Sequence, residues 1–214
     1  MVLAVTGLEV KQLCSERDDR VLFSDLCFQL NAGQLVQIAG PNGSGKTSLL
    51  RILAGLSSRY EGDVLWQGKS LQRQRHDYLQ QLLYIGHGVG IKAVLSPVEN
   101  LRWSCALRGI SNSDALIRSA LDKVGLGGFE EQPCFSLSAG QQRRVNLARL
   151  FCIPASLWIL DEPFTAIDQR GVAEVEHWLS EFVSGGGALL LTTHHRLNFP
   201  QDFKVINLGA VTDA

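Results

Sequence analysis

The sequence predicts an α/β fold, in which a sheet of buried strands is preceded by a small antiparallel β region and interrupted by a helical lobe. Three features predict this. The runs Leu157 to Leu160 and Ala188 to Leu191 are apolar without alternation, as strands covered on both faces are. The stretch Leu35 to Ala39 runs straight into Gly40-Pro41-Asn42-Gly43-Ser44-Gly45-Lys46-Thr47, after which Ser48, Leu49, Leu50, Ile52, Leu53 and Leu56 follow helical spacing. That is the strand, glycine loop and helix order of a phosphate-binding unit. Helical signals dominate about residues 95–145, which reads as an insertion into an alternating fold.

The elements follow in order. Leu26, Phe28 and Leu30 alternate with Cys27 and Gln29, a half-buried strand closed by the turn signal Asn31-Ala32-Gly33, so an antiparallel hairpin is expected. Glu61 to Gly68 reads as a further strand ending at a turn. Ser96-Pro97-Val98-Glu99 is a capping box with proline at the first helical position, opening a helix through about Leu107. A second helix is expected from Asp114 to Val124. Gln141 to Cys152 reads as a third, with Val145, Leu147, Leu150 and Phe151 inward and Arg143, Arg144 and Arg149 mostly outward.

The chain of 214 residues suits a single domain, 1–214. A formal charge of -1 with 45% hydrophobic residues gives no basic excess for nucleic acid and no acidic tail. No apolar run reaches the roughly 18–20 residues needed to cross a bilayer, and no signal peptide pattern opens the chain. Cytosolic placement is therefore expected. Cys14, Cys27, Cys105, Cys134 and Cys152 have no metal-ligand spacing and are odd in number, so buried, reduced thiols are expected.

The loop 40–47 fits G-x-x-x-x-G-K-[ST]. Its backbone N–H groups can close round phosphates, Lys46 neutralises them and the Thr47 hydroxyl reaches Mg²⁺. Ser48 belongs to the same phosphate-binding set. Leu137-Ser138-Ala139-Gly140-Gln141 resembles the signature sequence of ATP-binding cassette (ABC) ATPases. Leu157 to Glu162 resembles the Walker B element, although an acidic pair at a helix N-terminus is its plainer reading. Thr165-Ala166-Ile167-Asp168 stands at the spacing of the family's D-loop, and Leu191-Thr192-Thr193-His194 resembles its switch histidine strand. His195 reads as a solvated neighbour.

The chain is identified by this ordered set as similar to ABC ATPase subunits over essentially its whole length. The resemblance implies a P-loop NTPase (RecA-like) core with an N-terminal antiparallel β subdomain and an ABC α-helical subdomain. It implies ATP and Mg²⁺ as cofactors, with Asp161 and Thr47 on the metal, Glu162 acting on water and His194 contacting the γ-phosphate. Ser138, Gly140 and Gln141 would act on the nucleotide of a second subunit, and Asp168 would couple the two sites of a homodimer.

Two positions depart from the family. Counting back from Glu99-Asn100-Leu101, the usual Q-loop glutamine is replaced by His87, and only one neutral tautomer of imidazole offers a lone pair towards Mg²⁺. Cys14 to Arg20 contains no aromatic residue to stack on adenine. Arg17 or Arg20 could lie over the base, or the segment is simply a charged turn.

Val64 to Gly68, Tyr84 to Lys92, Leu137 to Leu150 and Leu157 to Asp168 are similar to ATPase subunits of bacterial cytochrome c maturation. That likeness implies haem export, integral membrane partners and a peripheral place on the cytoplasmic face of the inner membrane. A soluble ABC ATPase, the ATPase of a different small exporter and a non-hydrolysing subunit are the alternatives. The single cassette, with no heptad run, disfavours the soluble reading, and the near-complete catalytic set disfavours the non-hydrolysing one.

Overall fold

The computed structural model describes residues 7–18, 20–111 and 114–209. Asp19, within the charged segment Cys14 to Arg20, lies outside them. Along the chain, β1 (Gly7–Arg17), β2 (Arg20–Asn31) and β3 (Leu35–Ala39) precede α1 (Lys46–Leu53), β4 (Glu61–Trp66), β5 (Lys69–Ser70), α2 (Arg75–Gln81) and β6 (Leu82–Ile85). The lobe runs α3 (Pro97–Ala106), α4 (Asp114–Lys123), α5 (Ala139–Leu147) and α6 (Arg149–Cys152). The chain returns through β7 (Leu157–Asp161), α7 (Gln169–Ser184), β8 (Ala188–Thr192) and β9 (Lys204–Asn207).

One sheet is antiparallel, in the order β2-β1-β4-β5, and the other is ordered β6-β7-β8-β3-β9 with all its pairs parallel. Every residue of β7 and β8 is buried, as their unbroken apolar runs predict. Trp158, Leu160, Leu189 and Leu191 enter a core shared with the lobe, while Leu157, Ile159, Ala188 and Leu190 enter a second core under the antiparallel sheet. Period-2 geometry divides each strand between the two cores. At about 1.5–3 kcal/mol per buried large side chain, these strands form a firm base for whatever their ends carry.

The expected hairpin exists, but its turn is elsewhere. β1 pairs with β2 from Gly7 opposite Asn31 to Arg17 opposite Arg20, so the chain reverses between Arg17 and Arg20. The Asn31-Ala32-Gly33 turn instead sends it into β3 of the other sheet. β1 itself escapes a pattern search because its register shifts after Val10 and Gln12 sits at φ 46, which breaks the alternation. Cys27 and Cys14 depart from the expected burial, being exposed and half-buried. Their Sγ atoms accept from the N–H of Gln12 and of Asp25, two residues with positive φ. Cys105, Cys134 and Cys152 are buried as expected. Burial, followed by the neighbouring Cys105, pushes the Cys152 thiol up to about 12, which keeps it protonated and unreactive.

In the lobe, the capping box at Ser96 and Glu99 is formed in both directions. The expected third helix differs from its prediction. It is two helices broken at Ala148, and Arg143 is 3% exposed. Arg144 and Arg149 are half-buried. Their N–H forks explain the difference: Arg144 donates to Val124 O and Glu174, and Arg149 Nη1 to Asn146 Oδ1, although the Arg149 Nε is buried without a partner among the described residues. A guanidinium presents five donors, so it can be buried wherever carbonyls converge.

Candidate functional site

Four parallel strands deliver their following loops to one edge of the sheet: β3 the glycine loop, β6 His87, β7 Asp161 and Glu162, and β8 His194. In open parallel sheets ligands bind in the crevice outside the carboxyl ends of the strands. A cleft of about 500 Å³ lies there, lined by Asn42, Gly43, Gly45, Lys46, Thr47, Ser48, His87, Asp161, Glu162 and His194 together with Arg17, Leu22 and Thr165. Its size suits a nucleotide-sized ligand.

Gly45 closes the loop at φ 94, and a Cβ there would lie 2.9 Å from Leu22 Cβ. Only glycine meets both demands. α1 starts at the next residue, so its unpaired N–H groups and dipole favour an anion at the cleft. Lys46 Nζ donates back to Gly40 O at 2.7 Å and Pro41 O at 3.0 Å, which holds the ammonium over the loop.

At the end of β7, Asp161 is 2% exposed and its Oδ1 accepts from Thr192 Oγ1 at 2.7 Å. Glu162 has a left-handed backbone, φ 51. Its N–H donates to Thr192 O and Thr192 Oγ1 at 3.2 and 3.0 Å. Its Oε2 accepts from the His194 N–H at 3.3 Å, and His194 Nε2 stands 3.6 Å from Oε1. Among the described residues, Asp161 Oδ2 and Glu162 Oε1 are buried oxygens without a hydrogen-bond partner. Unsatisfied buried oxygens mark where a cation or water completes the shell. With the Thr47 hydroxyl in the same cleft, the donor set is the all-oxygen kind that Mg²⁺ takes.

The remaining expected residues lie away from this cleft. Gly40, Pro41 and Ser44 form the back of the loop, with Ser44 Oγ buried. Ser138 is the N-cap of α5 and shares a capping box with Gln141, whose Oε1 accepts from the Ser138 N–H at 2.9 Å. A Cβ on Gly140 would lie 2.7 Å from Ala166 O, so the signature and the D-loop of one chain touch. Asp168 caps α7 and pairs with Arg144 at 3.4 Å. Of the two base-stacking candidates, Arg17 lines the cleft and Arg20 does not. His195 is not merely solvated, because its Nε2 lies 3.4 Å from Glu176 Oε1 and its ring leans on Phe164.

Three contributors went unread in the sequence. Thr192 joins Asp161 to the Glu162 backbone, and a threonine ending a buried strand beside the acidic pair was its only signal. Asn100, 3% exposed, accepts from the Lys92 N–H and donates to Lys92 O and Ser96 O, and so shapes the loop after His87. An asparagine inside a helix was the hint. Arg143 is the third.

Residues 23–165 match the family described as ABC transporter. The chain is similar to the Cytochrome c biogenesis ATP-binding export protein CcmA of Hahella chejuensis, 52% identical over 205 residues, covering 96% of this chain and 97% of that one. It is 54% identical over 203 residues to the protein so named in Pseudomonas fluorescens, covering 94% and 96%. Among solved structures, an ATP-binding subunit of an ABC transporter has TM-score 0.79 at 26% identity, over 88% of this chain and 80% of that one. A putative ABC transporter ATP-binding protein from Pyrococcus furiosus, TM-score 0.82 at 23% identity over 94% and 97%, shares the fold. Its sequence, its strand-end cleft and these likenesses agree, and the chain belongs to the ABC transporter family as an ATP-binding, ATP-hydrolysing subunit.

Proposed function

We propose that the chain works as a head-to-tail homodimer that drives a membrane complex for haem export in cytochrome c maturation. The observation that carries the dimer is the division of the site. One cleft gathers the glycine loop, Asp161, Glu162 and His194, while exposed Ser138 and half-buried Gly140 lie outside it and act on the nucleotide of the second copy. Lys46, Ser48 and the N–H groups of Asn42, Gly43 and Gly45 hold phosphate, and Thr47 and Asp161 hold Mg²⁺. The bound metal supplies neutralisation of phosphate charge. Glu162 accepts the proton of the attacking water, His194 lies beside it to meet the γ-phosphate, and Asp168 faces the partner copy.

The link to cytochrome c rests on relatives named for cytochrome c biogenesis that are about half identical along almost the whole chain. Among the described residues, no helix is long and apolar enough to cross a membrane. Attachment to the cytoplasmic face of the inner membrane therefore falls to integral membrane partners. The segment after His87 offers the contact. Val94 is 77% exposed and Phe135 66%, and the Phe135 N–H donates to Ala93 O at 2.8 Å, which joins the turn that carries Val94 to the short 3-10 turn Cys134–Ser136 that carries Phe135. Ile91 and Leu95 are half-buried, so Val94 is the residue to test. Val94→Asp is expected to abolish co-purification with membrane partners from detergent while the melting temperature stays that of the parent. Intact co-purification rejects this surface.

His87 is exposed and lines the cleft, on the loop that leads to Val94. His87→Gln, which restores an amide carbonyl, is expected to support turnover. His87→Leu should lower it roughly tenfold, the worth of one hydrogen bond. Equal rates in all three proteins assign His87 to partner contact instead.

A further inference from the structure

Arg143 is almost fully buried and, among the described residues, hydrogen-bonded only to main chain. Its Nη2 donates to Glu162 O at 2.8 Å and Asp161 O at 3.1 Å, its Nε to Pro163 O at 3.4 Å and its Nη1 to Gly86 O at 3.2 Å. A buried cation is costly unless its donors are met, and here four carbonyls from two catalytic loops meet them. Burial pushes the guanidinium down, and the nearby carboxylates of Asp161 and Glu162 push it back up.

Glu162 needs such support. Its φ of 51 is unfavourable for a side chain with a Cβ, and the proline that follows restricts it further. A strained backbone persists only where its surroundings over-determine it. Thr192 takes the N–H of Glu162 from one side, and Arg143 takes its carbonyl from the other. Arg143 also reaches Gly86, the residue before His87, from a helix whose N-cap is Ser138.

We propose that Arg143 is a positioning residue for hydrolysis, which fixes the Glu162 carboxylate by holding its main chain in the left-handed conformation. This rests on the reading that Glu162 acts on water. A displacement of about 1 Å at such a group can cost roughly 100-fold, so Arg143→Met should lower kcat by roughly 10- to 100-fold with KM unchanged. Arg143→Lys, which keeps the charge and reaches some of the carbonyls, should recover most of that loss.

The test compares the full chain with Arg143→Met, Arg143→Lys, Glu162→Gln and the double variants, measuring kcat, KM, equilibrium ATP binding and melting temperature. If Arg143 acts through Glu162, its replacement lowers turnover no further in the Glu162→Gln background. Losses that multiply in the double variant, a matched fall in ATP affinity, or a lysine variant no better than methionine overturn the proposal. Should Arg143→Met not fold, Arg143→Lys carries the comparison, with its smaller kcat loss expected to vanish beside Glu162→Gln. Full turnover by Glu162→Gln alone would remove the reading of Glu162 itself, and this inference with it.

Discussion

Glu162→Gln is expected to remove nearly all ATP turnover, by roughly 10² to 10⁴, the usual worth of a positioned general base, while ATP binding survives. The amide keeps the size of the carboxylate but cannot accept the proton. Its remaining oxygen can still take the His194 N–H, and the main-chain bonds to Thr192 and Arg143 do not involve the side chain. The glycine loop is untouched. Nucleotide should therefore bind, fail to be consumed and hold two copies together. Size-exclusion chromatography with and without ATP, alongside a turnover assay, checks both parts. Unchanged turnover, or lost ATP affinity without a dimer, refutes the role.

Lys46→Ala is expected to fail one step earlier, at binding. The ammonium, now shared between Gly40 O and Pro41 O, is the one lysine among the described residues that lines the cleft. Losing one partner of a desolvated charge pair costs about 2–5 kcal/mol, which corresponds to roughly 30- to 4,000-fold in the dissociation constant. The fold should not follow, because the side chain is only half-buried. Calorimetry reads the affinity, and thermal melting gives an independent check. ATP raises the melting temperature of the parent by linkage and should do so little for Lys46→Ala. Normal affinity would show that the loop N–H groups and α1 suffice.

The two predictions touch residues that a sequence pattern finds readily, because the glycine loop and the end of a buried strand are local. Leu157 to Leu160 announces itself through four successive apolar residues, all of which are buried, and Gly45 through its place in the glycine pattern, where the backbone takes a conformation other residues resist. β1 was hidden because its bulges destroy alternation. Arg143 and Arg144 show what one-dimensional patterns lose. They are adjacent and chemically identical, yet they point about 100° apart on a helix, one into the strand-end carbonyls and the other to Val124 O, Asp168 and Glu174. No count of apolar neighbours distinguishes them, because their acceptors come from loops distant in sequence. The turn at Asn31 to Gly33 was real, but the sheet that its second strand would join depended on β8.

The contact between Gly140 and the Ala166 carbonyl also bears on how such a chain can change over generations. Position 140 leaves a Cβ no room unless the 165–168 loop moves. That loop sits at φ 63 on Ala166 and ends in the cap of α7. A mutation at 140 is thus not a private event of the signature. A side chain at 140 is tolerated only with a change that lets the Ala166 backbone shift, whereas Ser138, two positions away, answers instead to Gln141 through the capping box of α5.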